Sequence, residues 1–99
     1  MGKRILFILI ALSMSSVMTF GVMTKQFTLV VDAGHGGHDT GALGAFSKEK
    51  DINLNVALAF GKLVEKNCPD VKVIYTRKTD IFIPLQERAD IANKAGADL

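Results

Sequence analysis

The sequence predicts an α/β fold: a parallel or mixed sheet with crossover helices, of which only the first strand–helix–strand–helix portion lies within the 99 residues. Three observations predict it. Apolar, β-branched stretches alternate with stretches of helical periodicity, the pattern of a sheet built from crossover units. Phe27 to Val31 (FTLVV) is too continuously apolar for a sheet with one wet face, which marks an inner strand. A glycine-rich run, VVDAGHGGHDTGA from Val30 to Ala42, ends that strand. Open α/β sheets place their sites at such strand ends.

The elements follow in order. Phe27 to Val31 is the first strand, and Asp39 to Lys48 is a loop of small residues. Ser47 reads as a helix N-cap, with Glu49 and Asp51 in a first turn where the helix dipole favours acids. Ile52, Val56, Phe60 and Leu63 recur at helical spacing, and Leu54 and Leu58 widen that face enough to lie on a sheet. Asn67-Cys68-Pro69-Asp70 stops the helix. Val71 to Thr76 (VKVIYT) is the second strand, and Arg77 to Asp80 is a polar turn. Pro84 suits the first turn of a second helix whose apolar face is Leu85, Ala89, Ala92 and Ala95, with Gly96 as its stop. Ala97-Asp98-Leu99 begins another strand. Two complete strands cannot form a covered parallel sheet, so residues 22–99 read as the N-terminal part of a longer domain.

Residues 1–21 stand apart. Lys3 and Arg4 form a positive start, Ile5 to Leu12 is uninterruptedly apolar, and small and polar residues follow up to Thr19 and Gly21. That is the layout of a secretory signal peptide. An uncleaved anchor is the alternative, although the second half of the segment is polar for a bilayer crossing. Lys3 and Arg4 also carry the whole net charge of +2; from Val22 onward ten basic residues balance ten acidic ones. No basic face remains, which argues against nucleic acid as a partner. Membrane contact is expected only through the signal segment. Cys68 is the single cysteine, so no internal disulfide and no CxxC motif exists.

Three chemistries compete for the glycine run. A dinucleotide fingerprint requires GxGxxG opening a helix, but Asp39 occupies the third glycine position of Gly34-His35-Gly36-Gly37-His38-Asp39. A Walker loop requires Gly-Lys-Ser/Thr, but Ala42 and Leu43 follow Gly41. Both phosphate readings fail on residue type. The third reading is a metal site. His35 sits just past a strand end, glycines beside it let the chain turn sharply, and Glu49 opens a helix that returns to the same end of the sheet. Zinc accepts imidazole and carboxylate together. The residues alone leave the ordinary alternatives open: a hydrogen-bonded turn histidine and a first-turn glutamate that complements the helix dipole.

The motifs Asp-x-Gly-His-Gly-Gly-x-Asp-x-Gly-Ala, Glu-Lys-Asp, Thr-Arg-x-x-Asp, Leu-x-x-Arg and Ala-Asn-x-x-x-Ala-Asp-Leu occur in that order between Phe27 and Leu99. In this the chain resembles the zinc-dependent N-acetylmuramoyl-L-alanine amidases of the amidase-3 family. The resemblance implies a cell-wall hydrolase that cleaves the amide between N-acetylmuramic acid and L-alanine of peptidoglycan with zinc-activated water. It implies Zn2+ as the cofactor, with His35 and Glu49 as two of its ligands. It places the third ligand, a histidine in a Ser-x-His-x-Asn stretch, just after Ala-Asp-Leu, and the catalytic glutamate much later. No catalytic residue is therefore expected within this chain, which alone should be inactive and bind zinc weakly. The implied location is outside the cytoplasm, in the periplasm or the cell wall, with a regulator protein or additional domains left open. The alternative is a non-catalytic peptidoglycan-binding or interaction domain on the same scaffold.

The remaining polar residues carry narrower expectations. His38 falls at a variable position of the motif and reads as a solvated bystander. Asp32 either orients His35 from behind or hydrogen-bonds loop amides. Asp39 braces its own loop through an Asx-type bond. Arg77 ties the polar turn to Asp80, and Arg88 reaches from the second helix to that turn; substrate contact is the minor reading for both.

Overall fold

The computed structural model describes residues 25–99, so the signal-segment reading of residues 1–21 lies outside the described residues. The element order is β1 (Phe27–Val31), α1 (Glu49–Asn67), β2 (Val71–Tyr75) and α2 (Leu85–Ala95). β1 and β2 pair in parallel with Phe27 opposite Val71 and Val31 opposite Tyr75. On the opposite edge of β1, Leu99 N–H donates to the Thr28 carbonyl at 3.4 Å and Val30 N–H donates to the Leu99 carbonyl at 2.9 Å. Those two bonds are the repeat of a parallel ladder. Asp98 N–H donates to the same Thr28 carbonyl at 2.8 Å, so Ala97–Leu99 runs along the second edge of β1, while the sheet among the described residues has two strands, β1 and β2.

α1 follows the predicted span but presents a different face. Ala57 and Gly61 are buried and Leu54, Leu58 and Val64 half-buried, while Ile52, Val56, Phe60 and Leu63 are all exposed. The helix carries two apolar stripes, and the sheet takes the one with the small residues. Gly61 is the reason: a Cβ there would fall onto the Tyr75 ring, so its absence lets β2 approach closely. α2 is corrected in the same way. Arg88 is buried and Ile91, Ala92 and Ala95 are half-buried, but Leu85 and Ala89 face outward. Helix-period spacing is shared by both sets, and the buried arginine sets which one turns inward. Pro84 lies one step earlier than predicted, as the N-cap, and Gly96 closes the helix at φ 63° with its N–H on the Asn93 carbonyl.

Ser47 does not cap α1. The N-cap is Lys48, with no side-chain cap, and the free amides of the first turn are taken by the loop before it. Glu49 N–H donates to the Ala42 carbonyl at 2.9 Å and Lys50 N–H to the Thr40 carbonyl at 3.0 Å. These bonds satisfy donors that a helix start leaves free. They also fasten the start of α1 to the glycine run.

The innermost side chains are largely polar. Ala33, Ala57 and Ile83 are the buried apolar residues among those described, beside buried Lys50, Thr76, Arg77 and Arg88. The charged ones gather beneath the glycine run, at the C-terminal end of β1.

Candidate metal site

β1 delivers the chain into a tight corner. Gly36 and Asp39 exchange backbone hydrogen bonds of 2.8 and 3.0 Å, which leaves Gly37 and His38 at the tip. Gly36 adopts φ 127° and Gly37 φ 59°; a Cβ at Gly36 would run into the Ile81 carbonyl. His35, at φ 62°, is the one non-glycine residue in the left-handed region among those described. For an L-residue with a bulky side chain that conformation is uncommon, and surrounding contacts have to hold it.

The corner aims His35 at the start of α1. Its Nε2 lies 3.1 Å from Glu49 Oε2, and its Nδ1 lies 2.9 Å from Asp39 Oδ2. Both carboxylates are braced through their other oxygen. Ala42 N–H donates to Glu49 Oε1 at 2.9 Å, and Gly41 N–H donates to Asp39 Oδ1 at 3.1 Å. The Asx-type brace predicted for Asp39 is present, and the same side chain also holds the imidazole.

Asp32 does not orient His35. Its Oδ1 accepts from Thr76 Oγ1 at 2.8 Å and from Arg88 Nη1 at 2.6 Å. Arg77 donates to the carbonyls of Ala33, Gly34, Lys50 and Thr79 and not to the Asp80 carboxylate. Arg88 reaches Ile83, Asp32, Ala33 and His35, not the turn after β2. Backbone carbonyls, which every residue owns, outcompete the side-chain partners expected from motif position. Asp80 pairs instead with Lys50 Nζ at 2.8 Å and accepts from Gly37 N–H at 2.8 Å, while Lys50 also donates to the Gly37 carbonyl. His38 is exposed and tilts against Phe82, ring centroids 4.2 Å apart.

The electrostatics follow from these contacts. The hydrogen bond to Asp39 raises the His35 pKa; burial opposes this, and the charges of Asp39 and Glu49 add to it. Asp39 is lowered, chiefly by His35 and then by Gly41 N–H. Glu49 is lowered, chiefly by Ala42 N–H, with His35 contributing. The imidazole thus lies between two carboxylates, a concentration of negative charge that favours a cation. The donor atoms suit one. Two ligand atoms on a tetrahedral ion with bonds of about 2.1 Å stand roughly 3.4 Å apart, against 3.1 Å for Nε2 and Oε2. Asp39 supplies the carboxylate that metal-bound histidines use to fix tautomer and ring orientation. No group of three histidine, cysteine or acidic side chains able to hold a metal occurs among the described residues. A cleft of about 510 Å³ opens beside His35, between Asp32, Phe82, Ile83 and Arg88.

The Lys50–Asp80 clamp yields a pH test. Asp80 is lowered below the ordinary 3.8, first by Lys50 and then by Gly37 N–H. A lowered carboxylate contributes stability that is present above its unfolded pKa and lost as pH falls through its folded one. Urea unfolding should show the full-length wild type more stable than D80N at pH 7 and pH 5, with the gap closing below about pH 4. A gap that ignores pH would remove the clamp from the explanation.

The chain is similar to known proteins. A family profile described as N-acetylmuramoyl-L-alanine amidase matches residues 29–99. The chain is 45% identical over 76 residues to the N-acetylmuramoyl-L-alanine amidase AmiC of Escherichia coli O6:H1, covering 76% of this chain and 18% of that protein. It is 46% identical over 72 residues to AmiA of Escherichia coli K12, covering 72% of this chain and 24% of that protein. Among solved structures, the catalytic domain of the amidase CwlV from Bacillus (Paenibacillus) polymyxa var. colistinus superposes with a TM-score of 0.71 at 36% identity, covering 74% of this chain and 41% of that one. The chain thus spans about a fifth to a quarter of the length of these two curated relatives.

Proposed function

The chain belongs to the N-acetylmuramoyl-L-alanine amidase family, and from that premise we propose that the whole protein is an exported, zinc-dependent peptidoglycan hydrolase cleaving the amide between N-acetylmuramic acid and L-alanine. His35 and Glu49 are its zinc ligands in this reading, and residues 22–99 are the first part of the catalytic domain. Residues 1–21 are the export signal, and the substrate lies in the periplasm or cell wall. The observation that carries the proposal is the facing pair His35 Nε2 and Glu49 Oε2, 3.1 Å apart, each held from behind by a further hydrogen bond. A non-catalytic binding domain would have no need of two braced donors directed at one point.

Bound zinc would supply a Lewis acid for the scissile carbonyl and an acidified water. The chain's own residues do the rest of what lies within it. Asp39 takes the Nδ1 proton of His35 as a hydrogen bond and so presents the Nε2 lone pair toward Glu49. Ala42 N–H draws on one Glu49 oxygen and leaves the other free. The backbone bonds of Glu49 and Lys50 to Ala42 and Thr40 keep both ligands in one frame. With two ligands present, residues 22–99 alone are expected to bind zinc weakly and to lack turnover.

The test is hydrolysis of purified peptidoglycan. The full-length protein with zinc should release stem peptides bearing a new alanine amine, stop when chelated and resume on zinc addition. Residues 22–99 should release none. Cleavage that persists through chelation removes zinc from the reading, and release without a new alanine amine removes the substrate. Turnover by residues 22–99 overturns the division of the site.

A further inference from the structure

Three successive carbonyls leave β1 toward the same place. Ala33 accepts from Arg77 Nε at 2.9 Å and from Arg88 Nη1 at 2.7 Å, Gly34 accepts from Arg77 Nη2 at 2.9 Å, and His35 accepts from Arg88 Nη2 at 2.9 Å. Consecutive carbonyls of an extended strand point to opposite sides, so gathering three onto two guanidiniums needs a sharp turn of the backbone. His35 supplies it with φ 62°. Its carbonyl is held by Arg88 while its imidazole meets Asp39 and Glu49.

We infer that Arg88 is a positioning residue for the metal ligand His35: it grips the His35 carbonyl and thereby sets the line of the imidazole toward Glu49. The inference rests on the zinc reading of His35 and Glu49. Arg88 itself is rigidly mounted. It is 7% exposed, its Nε donates to the Ile83 carbonyl at 2.8 Å, and its Nη1 donates to Asp32 Oδ1, the same oxygen that accepts from Thr76 Oγ1. A guanidinium has five N–H donors; four are taken by Ile83, Asp32, Ala33 and His35. That leaves too little to bind substrate and argues for positioning. Asp32, read from the sequence as either orienting His35 or bonding loop amides, acts one step further back by neutralising and anchoring Arg88.

The experiment measures the zinc dissociation constant of the full-length protein by chelator competition, with urea unfolding of the metal-free protein in parallel. Arg88→Lys keeps a charge for Asp32 but cannot span Ile83, Ala33 and His35 together. It should weaken zinc binding by roughly 10- to 100-fold, the range for altered supports behind metal ligands. Ala57→Gly, buried on α1 and making no side-chain hydrogen bond to the site, lowers stability while keeping every bond of Arg88 and should leave zinc affinity well short of a support effect. Arg88→Gln is the second variant if the buried lysine does not fold. Zinc affinity unchanged in Arg88→Lys, or weakened equally in Ala57→Gly, overturns the inference. So does unfolding of both Arg88 variants while Ala57→Gly folds, since Arg88 would then be scaffold only. Wild-type protein that binds no zinc overturns the metal reading and this inference with it. Zinc-replete wild type beside an unaffected Arg88→Lys overturns this inference alone.

Discussion

His35→Ala in the full-length protein should abolish zinc retention through dialysis and reduce amide hydrolysis by on the order of 10³-fold or more. The magnitude comes from the several kcal/mol that a bound metal supplies to developing charge, at about 1.4 kcal/mol per decade of rate. Glu49→Gln is the sharper variant. It preserves shape and the acceptor for Ala42 N–H, yet it removes the anionic oxygen that faces His35 at 3.1 Å. A neutral amide oxygen is a weak zinc ligand beside a carboxylate, so zinc should again be lost. His38→Ala provides the contrast within the same glycine run. His38 tilts against Phe82 and acts on Asp39 only as the smallest of the influences that lower it, so zinc content and rate should stay near the wild-type level. Metal analysis of the three dialysed proteins decides. Zinc kept by both His35→Ala and Glu49→Gln would void the site, and zinc lost from His38→Ala would move it.

The parts of the molecule legible in its sequence are those encoded by local spacing. Continuous apolarity marked β1 as an inner strand, and the structure flanks it on both edges. Gly96 announced a left-handed stop, because few other residues take φ 63° without strain. Periodicity also placed α1 and α2, but not their inward faces. Ile52, Val56, Phe60 and Leu63 form as good a stripe as Leu54, Ala57, Leu58 and Gly61, and size tipped the balance: a sheet approaches small residues more closely. The cap failed for a related reason. Ser47 has the right chemistry, but the Ala42 and Thr40 carbonyls reach the free amides first. Proximity of His35 and Glu49 was readable because both follow from topology, one at a strand end and one at the start of the returning helix. The support of His35 was not. Asp39 comes alongside only because Gly36 and Asp39 close a corner, and Arg77 and Arg88 bind backbone carbonyls across more than forty residues of chain, acceptors that no side-chain pattern advertises. A histidine at positive φ whose carbonyl accepts from Arg88 is a feature that only the structure displays.

Gly41 offers a second large effect with its own internal control. It sits at φ 63°, and a Cβ on it would lie 2.7 Å from His35 Cδ2 and 2.8 Å from both Cβ and Oε1 of Glu49. Gly96 has the same φ and nothing within 4 Å of its Cβ position. Gly96→Ala therefore measures the cost of the left-handed backbone by itself, about 1–2 kcal/mol. Gly41→Ala adds a wedge between the two proposed ligands, and overpacking of that kind costs about 1–3 kcal/mol more. The excess has one relief, which is to push the imidazole and the carboxylate apart. Sites tolerate about 0.5 Å of such displacement, and a misplacement near 1 Å costs on the order of 10²-fold in rate. Gly41→Ala should accordingly lose zinc affinity and hydrolysis by about 10- to 100-fold, whereas Gly96→Ala loses stability and leaves both unchanged. Unfolding and chelator titrations on the two proteins, side by side, separate the effects. If Gly41→Ala proves no worse than Gly96→Ala in zinc affinity, the close approach at Gly41 is not what holds His35 and Glu49 together. If the predicted gap appears, this glycine is required by the distance between two side chains as well as by the turn it occupies.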